Sequence, residues 1–207
     1  MAFQSIWYFT DLPEEIVNIV EKDLRINYDS DMEDSVVHGN NLNKNIRNSQ
    51  NSWIPTTHWI SGFLWHYVEK ANRENFLYDL TMIDGESLQY TQYGPGQFYN
   101  WHQDAGISGL INPQASSNRD IDKLGHDFIS QNIETTRKLS FSIQLSDPSD
   151  YEGGNFQLLD EQNKMYVAPR QRGALILFDS RSSHRVTKVT KGIRKSIVGW
   201  VVGPRWR

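Results

Sequence analysis

The 207-residue sequence predicts a mainly β fold, a two-sheet sandwich or jelly roll supported by N-terminal helices. From about Asp79 onward, short apolar or alternating segments are separated by Gly, Pro and Asp turn residues. Before that point, two segments have the apolar spacing of amphipathic helices. No repeat or linker divides the sequence, so we expect a single domain over residues 1–207, with helical support in 1–78 and the β core in 79–204.

Two helices are expected in the N-terminal part. The first starts near Asp11, where an acidic residue near the cap is followed by Pro13 and by two glutamates at the positive end of the helix. Its predicted apolar face consists of Ile16, Ile19, Val20 and Leu24. The second helix is expected over Trp59–Val68, because its apolar residues again recur with helical spacing.

The expected strands fall into two groups. The polar region after the first helix is predicted to contain two short ones, Ser35–His38 and Ile46–Trp53. The β part is predicted to contain Leu80–Ile83, Leu88–Tyr93, Phe98–Asp104, Lys138–Leu145, Asn155–Leu159, Gly173–Phe178, His184–Val189 and Arg194–Val202. Lys138–Leu145 gives the clearest pattern, because apolar and polar side chains alternate along it. Asp84-Gly85 is a strong turn signal between two of these strands.

Composition narrows the classes of function. The sequence has no cysteine, which excludes disulfides and thiolate metal sites, so any metal must bind to His, Asp or Glu. A net charge of −4 argues against a dedicated nucleic-acid binder. No apolar run is long enough to cross a bilayer, and Met1–Thr10 lacks the features of a secretory signal. We therefore expect a cytoplasmic protein without a membrane partner, and the oligomeric state stays open.

Three side chains form a candidate metal site. On a strand, residues i and i+2 point to the same side, so His102 and Asp104 are expected to present an imidazole and a carboxylate together. A lone His-x-Asp is a weak signal, but His184 supplies a second imidazole later in the chain. Two histidines and one carboxylate suit non-haem iron(II), because they leave three coordination positions open. Zinc accepts similar ligands, so the three side chains do not identify the metal by themselves.

Arg194 is the third signal. It lies ten residues after His184, and Ser196 follows on the same face of the predicted strand. A guanidinium pairs bidentately with a carboxylate, and a hydroxyl can add a further hydrogen bond. This pair is therefore a candidate anchor for the far carboxylate of 2-oxoglutarate, whose 2-oxo acid end would chelate the metal.

These residues lie in segments that resemble a known family. The segments are YGPGQFYNWHQD at 93–104, LSDPSDYEGGNF at 145–156 and GALILFDSRSSHRVTKVTKGIR at 173–194. In this order they resemble 2-oxoglutarate oxygenases, and more narrowly the prolyl-4-hydroxylase-like branch with its bacterial PKHD-type hydroxylases. The resemblance covers about residues 88–202.

The resemblance implies a double-stranded β-helix, a cupin-like jelly roll, with the metal at one mouth. It implies that His102, Asp104 and His184 bind Fe(II) and that Arg194, with Ser196, binds 2-oxoglutarate. Tyr93 and Tyr99 match tyrosines that line the cosubstrate pocket in related enzymes, with aromatic core packing as the alternative. Gln144 stands where related enzymes often have a tyrosine, which leaves that contact open. Trp200 is interpreted as core.

The chemistry implied by the resemblance is hydroxylation of an unactivated C–H bond, with 2-oxoglutarate and dioxygen converted to succinate and carbon dioxide and with ascorbate as a reductant. Related halogenating enzymes replace the carboxylate ligand with a small residue, so Asp104 favours hydroxylation. The expected substrate is a protein or peptide side chain, prolyl first. Ala105–Arg137 and Asn27–Trp53 are candidate substrate-facing segments because of their length and polarity.

Two other functions compete with this interpretation. AlkB-like nucleic-acid demethylases share the metal ligands but usually carry a second arginine six residues after the first, where this sequence has Trp200. A non-catalytic jelly-roll module for binding or sensing could also retain the histidines. Binding of iron and 2-oxoglutarate, followed by succinate formation, distinguishes an enzyme from such a module.

Overall fold

The computed structural model describes residues 4–9, 12–35, 43–84, 88–105, 135–160, 162–204 and 206. Two β-sheets dominate this part of the chain, one of eight strands and one of five, and a third sheet has two strands. Two α-helices lie before the main series of strands. The mainly β fold with N-terminal helices that the sequence predicts is therefore confirmed.

Helices occupy the N-terminal third of the chain. The first α-helix, α1, spans Glu14–Asn27, and the second, α2, spans Trp59–Ala71. A π-helical turn, Asn72–Phe76, continues α2 and ends at Leu77 in the left-handed conformation. The His58 side chain caps α2 by accepting a hydrogen bond from the backbone N–H of Ile60.

Fifteen strands are described. In chain order, β1 to β15 are Ile6–Phe9, Glu33–Asp34, Arg47–Asn48, Gln50–Ile54, Met82–Ile83, Leu88–Tyr93, Phe98–His102, Thr135–Gln144, Tyr151–Gly153, Phe156–Leu159, Met165–Val167, Leu175–Asp179, His184–Val186, Val189–Gly192 and Arg194–Pro204.

The major sheet has the order β1-β12-β8-β15-β6-β4-β2, with β5 paired to β15. One face packs on the helices: Leu139, Phe141 and Ile143 of β8 share a core with residues of α1 and α2. All ten residues of β8 are buried, because the opposite face is covered as well. That opposite face is polar along β8 and carries Ser140, Ser142 and Gln144.

The minor sheet has the order β11-β10-β13-β7-β3. A second apolar cluster contains Phe156 and Leu158 of this sheet together with Ile176 and Phe178 of the major sheet. The two sheets therefore pack face to face, as expected for a jelly roll. The polar face of β8 faces the space between the two sheets.

Several details of the sequence prediction need correction. The buried face of α1 is Val17, Val20 and Leu24, and Ile19 is 54% exposed, because the helix turns its i, i+3, i+7 set toward the core. The expected strand His184–Val189 is divided into β13 and β14. The break follows from hydrogen bonding, because the backbone N–H of Thr187 bonds to Asn155 and no longer to the minor sheet.

Other expected strands are shifted or shortened. Leu80–Ile83 reduces to Met82–Ile83, since Leu80 packs against the helix-side core. The strand expected at 35–38 is instead Glu33–Asp34, paired with β4, and residues 36–38 lie outside the described part. β8 begins at Thr135, so the end of the insertion expected at 105–137 is strand, and residues 106–134 lie outside the described part. The strands β1, β9 and β11 were not expected from the sequence.

Among the described residues, no helix has the length and apolar character that crossing a membrane requires.

Candidate metal centre

His102, Asp104 and His184 come together between the two sheets, with one possible ligand atom of each within 4.8 Å of the others. His102 ends β7 and His184 begins β13, and the two residues are directly paired in the minor sheet. Nε2 of His184 lies 3.4 Å from Oδ2 of Asp104, and Nε2 of His102 lies 3.8 Å from Oδ1. The three donors therefore face one point, as the sequence predicted.

Asp104 reaches this point by a different route from the one expected. β7 ends at His102, so Asp104 is not on the strand, and the i, i+2 argument does not explain its position. The carbonyl oxygen of Ser180 accepts hydrogen bonds from the backbone N–H groups of Asp104, at 3.0 Å, and Ala105, at 2.9 Å. The hydroxyl of Ser140 donates to Oδ2 of Asp104 at 2.7 Å.

Backbone carbonyls orient both imidazoles. Nδ1 of His102 lies 2.8 Å from the carbonyl oxygen of Asn100, and Nδ1 of His184 lies 3.0 Å from that of Ser182. A carbonyl can only accept, so Nδ1 of each ring carries the proton and donates it. In the metal-binding form of each ring, the lone pair is then on Nε2, which faces Asp104.

The protonation states also favour metal binding. Burial, followed by the neighbouring His184, lowers the pKa of His102 to about 3. Burial alone would raise the pKa of Asp104, but electrostatic interactions with the neighbouring His184, His102 and Arg137 and the hydrogen bond from Ser140 outweigh it, so the pKa is lowered. A neutral imidazole and an ionised carboxylate are the forms that bind metal ions.

The donor set fits iron(II). Two imidazole nitrogens and one carboxylate form the facial arrangement of non-haem iron(II) oxygenases, which leaves positions for a chelating ligand and dioxygen. Zinc could use the same donors, so the identification of the metal depends on the cosubstrate site beside them.

Arg194 provides that second site. It is only 2% exposed, and its guanidinium donates to Oε1 of Gln144 at 2.7 Å and to the hydroxyl of Ser196 at 3.2 Å. Tyr93 is paired with Arg194 across β6 and β15, and the guanidinium carbon lies 5.6 Å from the centre of its ring. Gln144, whose contact the sequence left open, is therefore a direct partner of the guanidinium.

The partners of Arg194 are unusual for a buried arginine. Of the three buried arginines in the described part of the chain, Arg137 forms an ion pair with Asp84 at 2.8 Å. Arg194 and Arg47 have no carboxylate within ion-pair distance among the described residues. Burial of a guanidinium without a counter-charge is costly. An anionic ligand would supply the missing charge at Arg194.

Tyr99 lies against the three candidate metal ligands. Its ring stacks on that of His102, with centroids 3.5 Å apart, and the guanidinium carbon of Arg47 lies 4.8 Å from its centroid. Burial raises the pKa of Tyr99 to about 12, so the hydroxyl keeps its proton at neutral pH. Arg47 donates to Ser49 and Gln89, both at 3.0 Å, and was not identified from the sequence.

Tyr151 was also missed by the sequence reasoning. Its hydroxyl is buried and interacts with the nearby Arg194 guanidinium, but it makes no well-formed hydrogen bond in the described part of the structure. A Cβ atom at Gly154 would lie 3.2 Å from the Tyr151 ring and 3.1 Å from the Arg194 side chain, so both flank this glycine. The proximity of Tyr151 also raises the pKa of Arg194, although burial, the larger effect, lowers it. Trp200, interpreted as core, is buried but belongs to neither apolar cluster; it is paired with Ser140, and the guanidinium carbon of Arg137 lies 4.2 Å from the centre of its ring.

Known proteins share both sequence and fold with this chain. The sequence profile of the 2OG-Fe(II) oxygenase superfamily matches residues 88–202, more than half of the chain. A PKHD-type hydroxylase of Picosynechococcus sp. (strain PCC 7002) is 34% identical over 137 residues, which cover 65% of this chain and 51% of that protein. A PKHD-type hydroxylase of Synechococcus elongatus is 31% identical over 157 residues, 73% of this chain and 60% of that protein. The chain thus spans about half to three fifths of the length of these relatives.

Solved structures agree on the fold. A prolyl-4-hydroxylase from Pseudomonas putida matches with a TM-score of 0.67 at 18% identity, over 98% of this chain and 94% of that one. A prolyl hydroxylase from Trichoplax adhaerens, in complex with a peptide fragment of the oxygen degradation domain of hypoxia inducible factor, has a TM-score of 0.71 at 17% identity, over 95% and 83%. The fold is therefore the double-stranded β-helix. Because the family match spans more than half of the sequence and includes all three clustered side chains, the chain belongs to the 2OG-Fe(II) oxygenase superfamily.

Proposed function

We propose that this protein is an Fe(II)- and 2-oxoglutarate-dependent dioxygenase that hydroxylates an unactivated C–H bond. The observation that carries the proposal is the position of Arg194, a fully buried cation whose described hydrogen-bond partners are all neutral. Its strand, β15, pairs with β8, which also carries Ser140, the hydrogen-bond donor to Asp104. A dicarboxylate that extends from the metal ligands to Arg194 would supply the negative charge that the guanidinium lacks.

Each residue has a defined task in this proposal. His102, Asp104 and His184 hold iron(II), and Arg194, with Ser196, binds the far carboxylate of 2-oxoglutarate. Bound iron(II) supplies the oxidising chemistry, in which 2-oxoglutarate, dioxygen and R–H become succinate, carbon dioxide and R–OH. Tyr93 and Tyr99 line the cosubstrate pocket and exclude water from it. Ascorbate is proposed as the external reductant.

A peptidyl side chain, prolyl first, is the proposed substrate. The names of the PKHD-type relatives and of the prolyl hydroxylases with the same fold support this class, and one of those hydroxylases binds a peptide. Arg47 adds local support, because it lies over Tyr99, which stacks on His102. A guanidinium in this position can donate hydrogen bonds to the carbonyl groups of an extended peptide.

Cosubstrate turnover tests the reaction. The purified protein with Fe(II), ascorbate and 2-oxoglutarate should release succinate slowly without a substrate. Arg194→Gln should abolish this release at ordinary 2-oxoglutarate concentrations. Arg185→Gln is the matched control, because Arg185 is a half-exposed arginine that contacts Gln157 and Trp101. Succinate release by the wild type that persists in Arg194→Gln would contradict the proposed role of Arg194.

Product analysis tests the substrate. Poly-L-proline and a mixed peptide library are incubated with the protein and its cosubstrates, and products are analysed by mass spectrometry. We expect a gain of one oxygen, about 16 Da by the stoichiometry of the reaction, on prolyl residues. Oxygen added only to non-prolyl side chains would refute the prolyl assignment and keep the hydroxylase assignment.

A further inference from the structure

Ser140 lies next to the candidate metal centre, and its hydroxyl has no task of its own in the function proposed above. It is fully buried on β8 of the major sheet, and its hydroxyl donates to Oδ2 of Asp104 at 2.7 Å. A second buried hydroxyl, that of Ser180, lies 2.9 Å from the Ser140 oxygen. The two serines therefore connect the major sheet to a carboxylate that follows a strand of the minor sheet.

The direction of each hydrogen bond between Ser180, Ser140 and Asp104 follows from the number of protons that each group can donate. An ionised carboxylate only accepts, so the single hydroxyl proton of Ser140 is directed to Asp104. The Ser140 oxygen must then accept the proton of Ser180. The order is Ser180 to Ser140 to Asp104, and such a chain strengthens the bond to the carboxylate by polarisation.

This bond restricts the carboxylate of Asp104. Rotation about its last side-chain bond would break the hydrogen bond from Ser140, and Oδ2 is the oxygen that Ser140 occupies. Oδ2 lies 3.4 Å from Nε2 of His184, but the bond from Ser140 takes one of its two lone pairs. Oδ1, which lies 3.8 Å from Nε2 of His102, has no hydrogen bond among the described residues and is the freer oxygen for a metal. A carboxylate that binds through both oxygens would fill one of the three positions that a chelating cosubstrate and dioxygen need.

We propose that Ser140 is a positioning residue that restricts Asp104 to a single ligand oxygen and thereby keeps a coordination position open. This inference rests on the proposed function, because it assumes that Asp104 binds the metal. Ser180 supports Ser140 from behind, through its hydroxyl, and fixes the backbone of Asp104 through its carbonyl oxygen.

Cobalt(II) can be used to test the positioning role of Ser140, since the visible absorption of the bound ion reports its coordination without turnover. The variant Ser140→Ala lets the carboxylate rotate, so it should bind Co(II) as tightly as the wild type or more tightly. Its affinity for 2-oxoglutarate in the Co(II) form should fall about tenfold, which corresponds to about 1.4 kcal/mol, because the second carboxylate oxygen competes for a position that the cosubstrate needs. Ser140→Thr keeps the hydroxyl and should restore the cosubstrate affinity.

Ser52→Ala is the matched control. Ser52 is another buried serine of the major sheet, and its hydroxyl has no partner among the described residues. This variant should leave the Co(II) spectrum and both affinities unchanged. Thermal unfolding of each variant shows whether the protein is folded before binding is compared.

The two affinities are expected to change in different directions in Ser140→Ala, which distinguishes a positioning role from a general structural role. If Ser140→Ala weakens Co(II) and 2-oxoglutarate together, or changes neither, the inference is overturned. If the wild type binds Co(II) but not 2-oxoglutarate, the proposed function fails. In that case the Co(II) spectrum without cosubstrate still tests Ser140, because it should change in Ser140→Ala and not in Ser52→Ala.

Discussion

His102 and His184 lie opposite each other in the pairing of β7 with β13, and the centres of their rings are 4.1 Å apart. A single pair of neighbouring strands therefore fixes both imidazoles. The third donor, Asp104, depends instead on hydrogen bonds to the other sheet and to the turn after β12. The candidate metal centre thus requires both sheets to be in place.

Tyr151→Phe tests whether the buried Tyr151 hydroxyl belongs to the cosubstrate site. The hydroxyl makes no well-formed hydrogen bond among the described residues, so its removal should change the unfolding midpoint little. A hydrogen bond to a charged group contributes about 1.5–3 kcal/mol, so 2-oxoglutarate affinity should fall about tenfold or more. Isothermal titration of the metal-loaded protein measures this. Tyr166→Phe is the control, because Tyr166 contacts Tyr8 away from the cluster. Unchanged affinity in Tyr151→Phe would remove Tyr151 from the site.

Asp179→Asn tests the turn that precedes His184. Asp179 accepts hydrogen bonds from Tyr78 at 2.6 Å and from two nitrogens of the Arg181 side chain. The asparagine loses the negative charge that holds Arg181. Because the Arg181 side chain is 39% exposed, solvent screens the pair, and the expected loss of unfolding free energy is about 1–2 kcal/mol at about pH 7. Chemical denaturation of both proteins measures the difference.

The pH dependence of that difference has a defined sign. Burial would raise the pKa of Asp179, but the bonds from Arg181 and Tyr78 outweigh it, so the folded pKa is below the ordinary value. The stabilisation is therefore complete above the unfolded pKa of about 3.9 and is lost as the pH falls below it. The unfolding free energies of the two proteins should converge in acid. They should differ by the same amount at about pH 6 and about pH 7, because both values lie well above the unfolded pKa. A difference that grows in acid would contradict this assignment.

Gly199→Ala tests the packing of the major sheet against the helix-side core. A Cβ atom at Gly199 would overlap the Phe141 ring and lie 2.6 Å from a methyl carbon of Leu88. We expect a loss of about 1–3 kcal/mol, the usual cost of overpacking. Gly62→Ala is the control, because nothing lies within 4 Å of its Cβ position and it is inside α2. It should stabilise the protein by up to about 1 kcal/mol. Equal effects of the two variants would contradict the described packing.

Much of the fold could be predicted because the relevant signals are local. The alternation along β8 placed Leu139, Phe141 and Ile143 on one face, and that face is the helix-side core. In the same way, the spacing of Arg194 and Ser196 placed them on one face of β15, where they are hydrogen-bonded. Side chains two apart on one strand need no tertiary information to be assigned to the same side.

What could not be predicted depends on contacts between segments far apart in the sequence. Ser140 and Arg47 lie in no motif, and Tyr151 lies in the segment 145–156 but has no chemical signal of its own there. Each of the three reaches the site across a sheet or between sheets. β1 was missed because a four-residue strand is recognisable only through its pairing with β12. The position of Asp104 was correct for the wrong reason, since the turn after His102 is set by Ser180 and not by strand geometry.

An anaerobic titration of the apoprotein with Fe(II) and then 2-oxoglutarate tests the central claim most directly. Chelation of iron by the 2-oxo acid should produce a weak visible charge-transfer band at about 500 nm. The band should appear in the wild type and in His66→Ala, whose histidine is exposed on α2, and should be absent in His102→Ala. A wild-type protein that binds Fe(II) without developing the band would contradict the account.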